Sequence, residues 1–268
     1  MEANLKARLG TALIALPLLL LLVGRGSARW FAALLFLLTL AALREYFLMV
    51  FPGRRREQSI GILFGVLVSL ALFVPDRFEA AAAVSFALVL CFSLSMCTIG
   101  SLEEKFIRLG WTLVGGLYLG FLLPHWVVLF RLPEGRAWVL FVLLVIMSGD
   151  SFAYFAGRRF GGKKLAPAIS PGKTVAGAWG YMVGGVLAAV LLAALLLPRL
   201  SRLEAAGLSL CLSALGQIGD LFESWIKRVF AVKDSGHLLP GHGGLLDRLD
   251  SLIFPAVFTV VYLKVFHS

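Results

Sequence analysis

The chain has 268 residues, 60% of them hydrophobic and 15% charged, against roughly half and a quarter in soluble domains; this excludes an ordinary soluble fold and intrinsic disorder alike. Three cysteines are too few for a disulfide scaffold, and Cys91, Cys97 and Cys211 lie in apolar stretches where a thiol packs as a small hydrophobe. The net charge of +10 would suggest nucleic acid in a soluble protein, but in so apolar a chain it fits cytoplasmic loops facing anionic lipid, and no nucleic-acid partner is expected.

A helix needs about 20 mostly apolar residues to cross a bilayer, and the chain offers about nine such segments, near 10–24, 29–50, 59–75, 79–99, 108–130, 137–157, 174–198, 204–226 and 249–266. Lys6 and Arg8 before the first of them imitate a secretory signal ending near Gly26-Ser27-Ala28, but the many spans beyond favour a retained helix. With the N-terminus inside, most lysines and arginines fall on the cytoplasmic side, including Arg54 to Arg56, Arg158 to Lys173 and Lys227 to Lys233. The fold class is therefore all-α, a multi-pass protein of the inner or plasma membrane with its polar loops facing the cytoplasm. Residues 1–135 read as transmembrane helices whose polar residues lie in short connectors, and 136–268 as a catalytic transmembrane domain in which charge enters the spans. The spacings Gly116 to Gly120 and Gly180 to Gly184 suit close helix contact.

Acids retained in apolar spans call for a functional explanation, since each costs about 3 kcal/mol at the bilayer centre. The first polar element runs from Ser148-Gly149-Asp150 to Thr174. Asp150, Tyr154 and Gly157 share a helical face, and five cations follow among glycines and prolines, a composition suited to anionic phosphates at the membrane surface. Its Pro-Gly-Lys-Thr end is not a phosphate-binding P-loop, because proline occupies position 167 where the first glycine belongs. In the second element, 217–228, Asp220, Glu223, Ser224 and Lys227 fall at i, i+3, i+4 and i+7 on one face, with Leu221, Phe222, Trp225 and Ile226 around the rest. An internal Glu223–Lys227 pair accounts for part of this stripe but not for Asp220, a turn deeper.

The third element, 233–251, begins as a loop whose Gly236, Pro240, Gly241, Gly243 and Gly244 permit tight turns. Asp247 and Asp250 follow one turn apart at the start of the last helix. Facing Asp220 and Glu223 across a hairpin, they would form an oxygen-rich cluster suited to Mg²⁺ held together with substrate phosphates. His237 and His242 lack zinc spacing and read first as structural hydrogen-bonding groups.

The run Ser224-Trp-Ile-Lys227-Arg228, then Lys233-Asp234-Ser-Gly, then Pro240-Gly-His242-Gly243-Gly244-Leu-Leu-Asp247-Arg248-Leu-Asp250 closely resembles the signature of bacterial phosphatidate cytidylyltransferases. Asp150-x-x-x-Tyr154-x-x-Gly157 and Ser170-Pro171-x-Lys173-Thr174-x-x-Gly177 are similar to the family's other recurrent pieces. Gly172, Val175 and Ala176 stand where the family usually has a basic residue, a bulky residue and glutamate, so that glutamate's role does not carry over.

The resemblance implies that CTP and phosphatidate are converted to CDP-diacylglycerol and pyrophosphate with Mg²⁺, a second cation being compatible. It assigns Asp220 and Asp247 to the metal, Glu223 and Asp250 to their support, and Lys227, Arg228 and Lys233 to the triphosphate. Asp234 is grouped with the catalytic acids, and Arg248 assists or pairs with one of them. Ser170, Lys173 and Thr174 would meet the lipid headgroup or the nucleotide, with Asp150, Tyr154, Ser224, His242, Gly243 and Gly244 lining the substrates. Membrane lipids are the surroundings, and a homodimer through transmembrane helices is left open. A CTP-dependent membrane lipid kinase, an ether-lipid cytidylyltransferase and, more distantly, an ion-coupled transporter using the intramembrane acids are the competing readings.

Overall fold

The computed structural model describes residues 21–73, 77–236, 238 and 243–266. Nine α-helices are found among them, in chain order α1 (Ala28–Val50), α2 (Arg55–Ala71), α3 (Arg77–Met96), α4 (Leu102–Gly115), α5 (His125–Arg131), α6 (Gly135–Phe160), α7 (Val175–Leu196), α8 (Arg202–Val229) and α9 (Leu246–Phe266). A π-helical stretch, Gly116–Leu122, joins α4 to α5. Serine and threonine begin several helices by accepting a hydrogen bond from a backbone N–H of the first turn: Ser101 from Glu104, Ser201 from Glu204 and Thr174 from Gly177.

The chain is nearly all-α, as its apolar periodicity predicts, but two details differ from the sequence reading. Seven helical segments among the described residues are long and apolar enough to cross a membrane: α1, α3, Leu102–Arg131 taken as one, α6, α7, α8 and α9. The expected span near 59–75 is α2, whose 17 residues cover only about 26 Å at about 1.5 Å each, and the expected span at 10–24 lies mostly outside the described residues. The stretch expected as a loop after α6 instead forms an antiparallel hairpin, β1 (Lys164–Ala166) with β2 (Ser170–Thr174), pairing Lys164 with Thr174 and Ala166 with Ser170.

The chain divides into two compact units, Gly26–Val128 with Asp234–Leu246 in the first, and Val23–Arg25, Leu129–Lys233 and Asp247–Ser268 in the second. In the first, α1, α2, α4 and the π-helical stretch pack around Leu43, Tyr46, Phe47 and Phe64, all fully buried, and the Tyr46 hydroxyl donates to the Trp111 carbonyl. Arg108 of α4 binds Glu57 and Glu104 at 2.7 Å each and donates to the Ile99 carbonyl. Backbones come close where α2 meets the π-helical stretch: a Cβ on Gly120 would lie 2.7 Å from the Gly65 Cα.

In the second unit, α6 against α7 is the most extensive helix contact, followed by α7 against α8. Gly180 allows the first of these, since a Cβ there would lie 2.9 Å from the Phe152 carbonyl oxygen. Tyr262 near the end of α9 donates to Glu204 at the start of α8, which ties those helices at the end remote from Asp220 and Asp247.

The Gly120 contact predicts that Gly120→Ala lowers stability by about 1–3 kcal/mol through overpacking against backbone. Gly110→Ala, where a Cβ meets nothing within 4 Å, should leave stability unchanged or raise it slightly. Thermal midpoints in detergent check the contrast.

Candidate active site

The polar stripe on α8 meets two partners within the second unit. On one side, Asp150 and Tyr154 of α6, Lys173 of β2, Tyr181 of α7 and Asp220 of α8 line a cavity of about 470 Å³. The hairpin positions Lys173: β2 runs into α7 through the Thr174 cap, and the Val175 N–H is held by the Lys163 carbonyl at 2.9 Å. The Lys173 ammonium then reaches the Asp220 carboxylate at 2.5 Å, while the Ser224 hydroxyl donates to the other oxygen of Asp220 at 3.4 Å. Asp150 lies within electrostatic reach of both Asp220 and Lys173.

On the other side, one turn along α8, the Lys227 ammonium sits between two acids, 2.6 Å from Glu223 and 2.5 Å from Asp247. The Glu223 side chain is 1% exposed and those of Lys227 and Asp247 11% and 13%. Unpaired, a carboxylate so buried would be prohibitively costly, so the lysine is the condition for keeping both acids there. Asp250 is also buried, its carboxylate accepting from the Ser251 N–H at 2.6 Å, and it interacts electrostatically with Asp220 and Glu223. Gly219 makes this approach of α9 to α8 feasible, because any side chain there would strike the Asp250 carbonyl.

The links between these acids are pairwise: Glu223 of α8 and Asp247 of α9 share Lys227, Asp250 of α9 is within electrostatic reach of Asp220 and Glu223, and Asp150 is within reach of Asp220. Thr174 spends its hydroxyl oxygen on capping α7, and Ser170 opens β2 half-buried. The Arg158 guanidinium donates to the Tyr154 hydroxyl at 3.1 Å. Arg228 points to backbone, binding the carbonyls of Ile169 in the hairpin turn and of Val232. Arg248 is exposed. Lys233 and Asp234 are exposed in the loop after α8, Gly243 adopts φ 81° and Gly244 is buried. His237 and His242 lie outside the described residues.

Four polar groups escaped the sequence reading. Tyr181, buried with its hydroxyl close to Asp150 and Asp220, is a lone tyrosine in a glycine-rich apolar span, which reads as packing. Gln217 lines the same cavity one turn before Asp220; its i−3 spacing from that acid was the available signal. Glu45 is buried inside α1 and Glu57 in α2, so the polar residues of the first half are not confined to connectors.

The donors converging here are carboxylate and hydroxyl oxygens, the chemistry that suits a hard cation such as Mg²⁺. No group of three or more His, Cys, Asp or Glu among the described residues forms a ready metal cage. Mg²⁺ usually takes only one or two carboxylates and completes its shell with water and substrate phosphates.

Residues 6–266 match the family described as the cytidylyltransferase family. Among similar proteins, the phosphatidate cytidylyltransferase of Bacillus subtilis (strain 168) is 34% identical, with 98% of this chain and 99% of that protein aligned. The phosphatidate cytidylyltransferase of Brucella abortus biovar 1 (strain 9-941) is 38% identical over 79% of this chain and 77% of that protein, and that of Staphylococcus haemolyticus (strain JCSC1435) is 32% identical over 93% and 95%.

Removing the shared lysine should expose the cost of the acids it serves. Lys227→Ala is expected to lose about 3–5 kcal/mol, as when one partner of a buried ion pair is deleted, and adding Glu223→Gln should recover part of that. Thermal unfolding of the single and double variants in detergent checks it; an unshifted midpoint for Lys227→Ala would contradict it.

Proposed function

The chain belongs to the cytidylyltransferase family, and on that premise we propose that it is a phosphatidate cytidylyltransferase. In this reading a phosphate oxygen of phosphatidate attacks the α-phosphorus of CTP. The bond from that phosphorus to the bridging β-phosphate oxygen breaks, CDP-diacylglycerol forms and pyrophosphate leaves. A phosphate monoester has its second pKa near about 6 and is largely dianionic at neutral pH, so the nucleophile needs no strong protein base. The protein's task is alignment and charge neutralisation.

The observation that carries the proposal is the convergence of α8 and α9 acids, interleaved with Lys173 and Lys227, beside a cavity large enough for a phosphate-bearing group. Asp220 and Asp247 would hold Mg²⁺, with Glu223 and Asp250 supporting them and a second cation compatible with so many carboxylates. The ion would supply charge neutralisation on the triphosphate. Lys173 and Lys227, each already bound to an acid, are placed to turn toward phosphate oxygens when the acids are otherwise satisfied. Arg158 and Tyr154 at the cavity suit the lipid headgroup, and Arg228 holds the hairpin that presents Lys173.

The protein would be a multi-pass enzyme of a bacterial inner or plasma membrane working at the cytoplasmic face. The seven apolar helices support the first part. The second is supported by the lysines and arginines gathered in the loops beside these acids, the side on which such residues accumulate.

Purified protein given CTP labelled at the α-phosphorus together with phosphatidate should yield labelled CDP-diacylglycerol and pyrophosphate, and chelation of Mg²⁺ should abolish both. Asp220→Asn and Asp247→Asn should each lower kcat by at least about 100-fold while remaining folded, the scale expected when transition-state charge loses its stabilisation. Transfer of the terminal phosphate instead would identify a kinase, and near-wild-type turnover of either variant would remove that residue from the site.

A further inference from the structure

We propose that Glu45, in α1, is a positioning residue for the active site: it holds the loop that leads into α9 and so sets where Asp247 begins. The link to catalysis rests on the function proposed above; the mechanical part does not. Glu45 lies near the end of α1, in an apolar helix, and is 5% exposed. Such an acid persists only where strong donors meet it. Here one carboxylate oxygen accepts from the Leu246 backbone N–H at 2.9 Å and from the Ser235 hydroxyl at 3.3 Å. A single oxygen thus grips both ends of the loop between them. The second oxygen faces Gly236, where a Cβ would lie 2.6 Å away, so any side chain there would press on the Glu45 carboxylate.

The Leu246 N–H is special because it opens a helix. The first N–H groups of a helix have no partner within it and are usually capped by Ser, Thr, Asp or Asn just before the first turn. The residues just before α9 are Gly243, Gly244 and Leu245, none with a side-chain acceptor. Glu45 provides that acceptor from a distant helix, with a charge sign that suits a helix N-terminus. Leu246 is joined by one peptide bond to Asp247, whose carboxylate must meet Lys227 at 2.5 Å. A start of α9 that frays or shifts would misplace that contact.

The test compares purified full-length wild type, Glu45→Ala, Glu45→Gln and Glu45→Asp by amide hydrogen exchange in a peptide covering 243–250 and by kcat with saturating CTP and phosphatidate. Glutamine keeps a carbonyl oxygen of the same reach and should keep both exchange and kcat within about threefold of wild type. Alanine should speed exchange in the first turn of α9 and lower kcat by at least about tenfold, the usual scale for loss of a supporting hydrogen bond around a site. Aspartate, one methylene short, should fall between and carries the comparison if the alanine variant does not fold. The proposal is overturned if glutamine is as impaired as alanine or more than aspartate, if exchange in the alanine variant, or in aspartate where alanine does not fold, stays at the wild-type rate, or if exchange rises while kcat does not fall. Absence of turnover in the wild type would instead defeat the functional reading and its catalytic link, while the exchange comparison still decides whether Glu45 holds the loop.

Discussion

One ammonium group, that of Lys227, makes the rest of the site feasible. Two carboxylates from different apolar helices cannot both stay ionised side by side, without a cation, in a medium that screens poorly. With Lys227 within 2.6 Å of both Glu223 and Asp247, α8 and α9 can close on each other at Gly219 and bring Asp250 toward Asp220. The same arrangement recurs a turn away, where Lys173 of the hairpin meets Asp220. In each case a cation supplied by the chain keeps an acid in place.

Much of this was legible in the sequence because it is local. The i, i+3, i+4, i+7 spacing places Asp220, Glu223, Ser224 and Lys227 on one face of α8, and the Glu223–Lys227 and Ser224–Asp220 contacts follow from that geometry. The apolar runs likewise predict α1, α3 and α6 to α9 to within several residues. What the sequence hides are partners set by tertiary contact. Nothing in Ser170-Pro171-Gly172-Lys173-Thr174 announces a strand, since its pairing is through main-chain bonds to Lys164 and Ala166. Lys173 faces Asp220, far along the chain, only because that hairpin forms.

Glu45 shows the limit most clearly. Its nearest sequence neighbours, Arg44 and Tyr46, place it at the end of a span, where a charge reads as an interfacial residue. Its actual partners are a serine and a backbone N–H near residue 240, and no side-chain pattern marks a backbone donor in need of an acceptor. The missing cap before α9 was the only local sign: a helix introduced by Gly243-Gly244-Leu245 must find its acceptor elsewhere. Likewise Tyr181 becomes polar in meaning only when α7 packs against α6 and α8.

The central claim is that the α8 and α9 acids form an incomplete oxygen site that nucleotide phosphates complete. Its most direct test is electron paramagnetic resonance of Mn²⁺ added to the purified protein with and without CTP. The account predicts weak Mn²⁺ binding alone and much tighter binding with CTP, lost in Asp220→Asn. Tight binding that ignores both CTP and Asp220→Asn would contradict it.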